Sequence, residues 1–421
     1  MPAFRPLLDA AAASPLARGL LAFGSAEAAT RVVRIGTLLV VARRLTPEAF
    51  GTAALVLSLF ELVRVLANAG IGQRLIMASD EELPALCRTA YRLFWMVCLG
   101  VAAIQLVVAA VVSTVFGLPE AGAMLAALAL VYCAMPPGLV QIFLAMREMR
   151  MERVAKIAAT QNIADSLLTL ALVLIWPTAW AIVLPKLLAA PVWTLLARRA
   201  FRWTADRTVA PAPLREFALF GPAILATELL TAARLHADKL LVGALFGTEV
   251  LGLYYFAFNA GLGITQSFVA ACSLVVFPHL ARKDGGSRRA EFRRSFALGL
   301  AMLVPVVAAQ ALLSPIYVPL LFGERWIPAV PYVALLSLAA LPLYASALVG
   351  AAMRVDGRPQ RETVLNAAGS AAALAGLAAG APFGLAAACL GYGLGLAAIA
   401  LPAAFARLSA TPTRLIPIKG A

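Results

Sequence analysis

The polar residues of this chain fall in short clusters between apolar runs of about 20 residues or more, the length an α-helix needs to cross a bilayer. The pattern predicts twelve spans, at 19–43, 50–72, 89–115, 120–146, 155–175, 179–199, 216–243, 249–279, 292–313, 329–352, 362–381 and 384–405. Several run past the hydrocarbon thickness, so they tilt or extend beyond it. Span six holds Pro185, Lys186 and Pro191, the least regular content of the twelve. The expected fold class is an all-α integral membrane protein.

The polar clusters between spans alternate in charge. One set holds Arg74, Arg88 and Arg92; Arg147, Arg150, Arg153 and Lys156; and Arg198, Arg199, Arg202, Arg207 and Arg215. It continues with Arg282, Lys283, Arg288, Arg289, Arg293 and Arg294, then Arg354, Arg358 and Arg361. With the basic residues of both ends, that side carries 26 against three (Arg43, Arg44 and Arg325) on the other. Basic loops stay on the cytoplasmic side, so both termini are expected in the cytoplasm. The first 18 residues lack the apolar core of a cleavable signal, and span one is expected to be retained.

Three matches in order suggest a duplication. Thr46–Gly51 (TPEAFG) resembles Gly247–Gly252 (GTEVLG) at an offset of 201. Phe116-Gly117 matches Phe322-Gly323 at 206, and Ala145-Met-Arg147 matches Ala352-Met-Arg354 at 207. Six spans separate the copies, so the halves have the same orientation. That implies two six-helix lobes related by a parallel pseudo-two-fold axis along the membrane normal. The polar linker Arg198–Glu216, with Pro211 and Pro213, places an N-terminal lobe at 1–205 and a C-terminal lobe at 206–421.

Composition agrees with a membrane protein: 62% of residues are hydrophobic and 13% charged, with a mean hydropathy of +0.89. The formal net charge of +14 does not point to nucleic acid, because the basic residues sit where topology requires them. Five scattered cysteines and two distant histidines support neither a disulfide framework nor a metal site. No P-loop, nucleophile elbow or dinucleotide fingerprint occurs, no cofactor is expected, and an enzyme is not the first reading.

Six basic residues nevertheless lie inside spans: Arg31, Arg34, Arg64, Lys186, Arg234 and Lys239. Each costs roughly 2.5–3.5 kcal/mol at the centre of a spanning helix. Glu27, Arg31 and Arg34 share one helical face, and span two repeats the theme with Glu61, Arg64 and Asn68. Span seven holds Glu228, Thr231, Arg234, Asp238 and Lys239. Two readings stand. The acids neutralise the bases pairwise and stitch helices together, or the basic excess lines a water-filled cavity for an anionic substrate. These three spans hold five basic residues and four acids, and Lys186 adds to the excess. Phosphate or diphosphate is the natural ligand of convergent arginine forks. Span five carries Gln161, Asn162, Asp165, Ser166 and Thr169, and span eight Tyr255, Asn259, Gln266 and Ser273. Such stripes suit sugar hydroxyls and equally suit helix–helix hydrogen bonds. Asp165 is a candidate for ion coupling or, equally, a hydrogen-bonded helix contact.

With these residues in view, the chain resembles the polysaccharide-transporter family of lipid-linked oligosaccharide flippases, in the multidrug/oligosaccharidyl-lipid/polysaccharide exporter superfamily. The resemblance is carried by Ala42–Gly51 (ARRLTPEAFG), Asn68–Gly72 (NAGIG), Asp238–Gly243 (DKLLVG), Gly247–Tyr255 (GTEVLGLYY) and Val276–Arg282 (VFPHLAR). Asn68 stands where the family often has an acid. The resemblance implies alternating access between two lobes around a central cationic cavity in a bacterial cytoplasmic (inner) membrane. It implies a polyprenyl-diphosphate-linked oligosaccharide substrate, flipped from the inner to the outer leaflet for export of O-antigen or exopolysaccharide. Arg31, Arg34, Arg64, Arg234 and Lys239 would meet the diphosphate, and Tyr255, Asn259 and Gln266 the sugars. Polysaccharide polymerase and export proteins would be the protein partners. Two alternatives remain: a cation-coupled drug or small-molecule antiporter of the same superfamily, which would favour an acidic or aromatic cavity, and a polytopic glycan polymerase or ligase, which would need a large outer loop. The longest outer loop expected here is only Ser314–Pro328.

Overall fold

The computed structural model describes residues 33–67, 70–204, 208–218, 221–263, 265–266, 268–269, 272, 280 and 285–409. Among them, regular structure is entirely helical. The helices are α1 (33–44), α2 (Pro47–Arg64), α3 (Ile71–Ile76), α4 (Leu83–Thr114), α5 (Pro119–Leu128), α6 (Val131–Ala134), α7 (Pro136–Arg147) and α8 (Met151–Ile175). They continue with α9 (Trp180–Ala200), α10 (Arg215–Ala218), α11 (Gly221–Ala257), α12 (Gly285–Phe322), α13 (Val330–Leu338), α14 (Ala340–Val355), α15 (Pro359–Gly380) and α16 (Leu385–Ser409).

Nine helical stretches among the described residues are long and apolar enough to cross a membrane, ten with the pair Pro119–Ala134 and Pro136–Arg147 counted as one bent span. Large apolar side chains cover their outer faces: Met96 is 66% exposed and Ile175 83%. Such surfaces are stable against lipid, not water. The protein is a multi-pass membrane protein. Spans two to six and nine to twelve of the sequence reading each correspond to one of these stretches. Spans seven and eight form one run, Ile224–Leu262, in which Gly247 alone leaves the helical region (φ 83°, ψ 178°). The first part of span one, with Arg31, and most of span eight beyond Gly263 lie outside the described residues.

One expectation is corrected. The outer loop placed at Ser314–Pro328 is mostly helix, because α12 continues to Phe322 and a 3₁₀ turn follows at Glu324–Ala329. Pro315 lies inside this helix. Its missing N–H leaves the Ala311 carbonyl unpaired, and the Ser314 hydroxyl donates to that oxygen at 2.9 Å.

Local chemistry sets the helix ends. Pro47, Pro119, Pro136 and Pro359 open their helices, where a missing N–H costs nothing. Thr46 caps α2 by accepting from the Ala49 N–H at 3.2 Å. The 55° bend at Met135–Pro136 frees the Ala134 carbonyl, and the Thr194 hydroxyl of α9 donates to it at 2.6 Å. The Gln105 amide of α4 donates to Leu125 O at the end of α5. Backbone groups loosened inside the membrane thus find side-chain donors, as the absence of water there requires.

The chain divides into two compact units, Met1–Leu240 and Leu241–Ala421. The division falls within α11, whereas the sequence reading put the lobe boundary in the polar linker near 205. In the first unit α2, α4, α5 and α9 pack around Phe60, Met124, Leu125, Leu128, Tyr132 and Val183. The second unit holds an aromatic nest, with Phe256 stacked on Trp326 at 4.1 Å and edge-on to Phe322 at 4.9 Å. There α15 and α16 approach so closely that a Cβ on Gly376 would lie 2.1 Å from Gly391 O.

Candidate functional site

The intramembrane charges sort into two kinds. Both lysines are taken up by acids. Lys239, 6% exposed at its side chain, pairs with Asp238 at 3.0 Å and also donates to Leu235 O at 2.8 Å. Lys186 pairs with Asp165 at 2.8 Å across α9 and α8, the two side chains being 33% and 18% exposed. The sequence reading set Lys186 among the unneutralised bases and treated Asp165 separately. The fold brings them together over 21 positions.

The arginines behave otherwise. Arg34 in α1 and Arg234 in α11 are exposed. Arg64 ends α2 and remains 47% exposed while its guanidinium meets Glu61 at 2.6 Å. It lies three residues from the end of the Pro47–Ala67 span, so it serves the end of the membrane segment and not its centre. Arg31, Glu27 and Asn68 lie outside the described residues.

Two further groups feel the charge of Arg64, and the sequence reading missed both. Tyr132, fully buried, packs on Phe60 (ring centroids 5.8 Å) within electrostatic reach of Glu61 and Arg64. His236 lies within electrostatic reach of Glu61, Arg64, Asp238 and Lys239. The Tyr132 hydroxyl and His236 Nδ1 are both buried without a hydrogen-bond partner among the described residues. A histidine inside a span, three residues before Lys239, was the legible signal.

On α8, the polar face is partly spent internally. Thr169 donates to Asp165 O at 2.8 Å, and Ser166 O accepts from Thr37 of α1 at 3.4 Å. Asp165 Oδ1 is buried with no partner among the described residues. In the second unit, Tyr255, Asn259 and Gln266 are half-buried. The Asn259 amide donates to Tyr255 O at 2.7 Å, within a wide helical turn at Phe258–Leu262.

Outside the spans, the arginines form clasps. Arg74 meets Glu82 and Glu216, each at 3.1 Å. Burial lowers its pKa, but the hydrogen bonds and charges of the two glutamates outweigh this and hold it above its ordinary value. Thr89 donates to Ala212 O at 2.9 Å, and Tyr91 packs on Trp203 at 5.7 Å, so Trp203 and Ala212 lie against α4. Arg147 reaches Asp80 at 2.6 Å. In the second unit Arg354 reaches Glu362 at 2.5 Å, and Asp356 takes both Arg288 and Arg407.

A family model described as "Polysaccharide biosynthesis protein" matches residues 40–331, more than half of the chain. The chain belongs to this family. Among its relatives, the lipopolysaccharide biosynthesis protein WzxC of Escherichia coli (strain K12) is 24% identical over 330 residues, 75% of this chain and 65% of that protein. The succinoglycan biosynthesis transport protein ExoT of Rhizobium meliloti (strain 1021) is 24% identical over 309 residues, 72% of this chain and 61% of that one. The chain thus spans less than two thirds of the length of these family relatives. Among solved structures, the lipid II flippase MurJ in an inward closed conformation superposes with a TM-score of 0.77 at 10% identity, covering 93% of this chain and 88% of its own. An inward-facing multidrug resistance MATE family transporter of the MOP superfamily gives 0.70 at 14% identity, covering 89% and 93%. At such identities the likeness establishes the fold and no more.

Proposed function

We propose that this protein is a transporter that moves a polyprenyl-diphosphate-linked oligosaccharide from the inner to the outer leaflet of a bacterial inner membrane, for polysaccharide export. Family membership sets the field. The observation that carries the substrate class is the exposure of the arginines: Lys186 and Lys239 are held by acids and mostly covered, while Arg34 and Arg234 are exposed and Arg64 stays 47% exposed beside Glu61. A phosphate-bearing substrate supplies the counter-charge that an exposed guanidinium at a membrane helix lacks, and the planar fork suits it. A cationic drug gains nothing from such a surface, which disfavours the antiporter.

In this reading Arg31, Arg34, Arg64 and Arg234 take the diphosphate, with Lys239 adding its field from behind Asp238. Tyr255, Asn259 and Gln266 meet the sugars, and the prenyl chain stays in lipid. Asp165 serves ion coupling through the carboxylate oxygen that Lys186 leaves open. Twelve spans, lobes at 1–205 and 206–421, cytoplasmic termini, a central cavity with alternating access, and polymerase or export partners belong to the same proposal.

Two pairs of turns support the parallel repeat. Gly117 and Gly323 both take positive φ (64° and 101°). Met149 and Gly357 do so too (56° and 70°), 208 residues apart, each closing its helix. Glu148, Met149 and Arg150 donate to Leu144, Met146 and Ala145; Asp356, Gly357 and Arg358 donate to Ala352, Arg354 and Met353 at the same offset.

The test is complementation of a flippase-deficient strain with alanine at Arg31, Arg34, Arg64 and Arg234 together, with membrane abundance measured by blot. Export is expected to be lost at normal abundance. Intact export would exclude diphosphate binding by these arginines.

A further inference from the structure

The start of α8 and the end of α9 lie at one membrane boundary, because these neighbouring spans run in opposite directions and are joined through residues 176–179. Contacts fix the corner. Ile142 and Met146 of α7, Ile157 of α8, and Trp193, Ala197 and Ala200 of α9 pack in one cluster. The Arg153 guanidinium donates to Ala200 O at 3.3 Å, and Arg150 stands over the Phe201 ring at 5.5 Å. Stretches 147–156 and 198–204, which meet here, carry seven basic and two acidic residues. Asp206 and Arg207, just beyond, lie outside the described residues and, being of opposite sign, leave that excess unchanged. Both acids are taken, Glu148 by Arg150 at 2.5 Å and Glu152 by Lys156 at 2.6 Å. Arg147 reaches away to Asp80. Arg153, Arg198, Arg199 and Arg202 are exposed and meet no acid among the described residues. Topology asks that basic residues stay on one side; it does not ask that four of them meet at one corner without acids.

We propose that Arg153, Arg198, Arg199 and Arg202 form a docking site for an anionic phospholipid, whose phosphate these guanidinia take while its chains lie along Leu195 and Leu188 of α9. Leu195 is exposed three and four residues before Arg198 and Arg199, on the same side of the helix, and Leu188 is exposed two turns further into the span. Met149 and Met151 are exposed beside the start of α8. A soluble anion has no use for that apolar surface; a lipid uses the charge and the surface together. The planar fork of arginine suits a phosphodiester. Basic side chains at the membrane end of a helix attract acidic headgroups, each contributing about fivefold in affinity. Arg34, Arg64 and Arg234 take no part in this site.

The test is native mass spectrometry of the purified full chain, titrated with phosphatidylglycerol or phosphatidylcholine of the same chain length. The wild type is expected to bind its first phosphatidylglycerol at least about tenfold more tightly than phosphatidylcholine. Arg198→Gln, Arg199→Gln and Arg202→Gln together should cut that preference to within about threefold. The control, Arg358→Gln with Arg361→Gln, removes two exposed arginines from the start of α15 and should keep the wild-type preference. Size-exclusion chromatography qualifies each variant. Arg202→Gln alone, beyond the end of α9, disturbs no helix and should cost about fivefold, so it decides the matter if the triple variant aggregates. Equal affinity for the two lipids in the wild type, an unchanged preference in the triple or single variant, or an equal loss in the control overturns the site. Displacement of the lipid by glycerol phosphate at the same concentration overturns the lipid assignment, since the anion alone would then be recognised.

Discussion

The Glu61–Arg64 pair at the end of α2 and the Asp238–Lys239 pair within α11 have the same formal charge and opposite surroundings. The first has its arginine 47% exposed and its acid 26%; the second has 6% and 2%. A screened pair exchanges partners cheaply, because solvent or a ligand replaces what the partner supplied. A buried pair cannot, because each charge depends on the other for solvation. The same residue chemistry thus leaves the arginine of one pair open to solvent and makes the other pair a fixed structural element. The difference is made by what packs around each pair.

The comparison is most sharply broken at Asp238. Asp238→Asn leaves the Lys239 ammonium buried without its carboxylate, and the expected cost is roughly 3–5 kcal/mol. It should appear as a large fall in membrane abundance and in the melting temperature of the purified protein. Replacing both partners with Asp238→Leu and Lys239→Met should recover most of the loss. A harmless single substitution would mean that the pair is not structural.

Arg64→Ala is expected to show the converse. Stability should change by less than about 1 kcal/mol. Export in the complementation assay should fall at least about tenfold, the equivalent of about 1.4 kcal/mol. Arg64→Lys keeps the charge without the fork and should retain part of the export. Equal loss of abundance in Arg64→Ala and Asp238→Asn would erase the distinction between the two pairs.

The Asp165–Lys186 pair is intermediate in exposure, and its stability effect should be intermediate too. Asp165→Asn is expected to cost about 1 kcal/mol, read as a melting shift that Lys186→Met reverses in the double variant. The smallest effect expected belongs to Thr194→Val, which leaves the Ala134 carbonyl unpaired at the bend. It should cost about 1 kcal/mol or less, with export unchanged at matched abundance.

Much of this was legible in the sequence. Apolar runs of membrane length, prolines at helix starts and the alternation of basic loops depend on local composition and on the bilayer, so the all-helical membrane fold could be read without coordinates. Helix periodicity also placed Glu61 beside Arg64, because residues three apart share a face. What periodicity cannot supply is partnership between distant segments. The pairing of Lys186 with Asp165 and the burial of Tyr132 against Phe60 are decided by which helices pack together. Nor could a proline count show that α12 runs through Pro315, since Ser314 rescues the freed carbonyl by a local hydrogen bond. The chain by itself placed six basic residues in apolar runs of membrane length. Only the tertiary structure decided which were spent on neighbours and which stayed open, because solvation and counter-charge at a membrane helix depend on the surfaces packed against it.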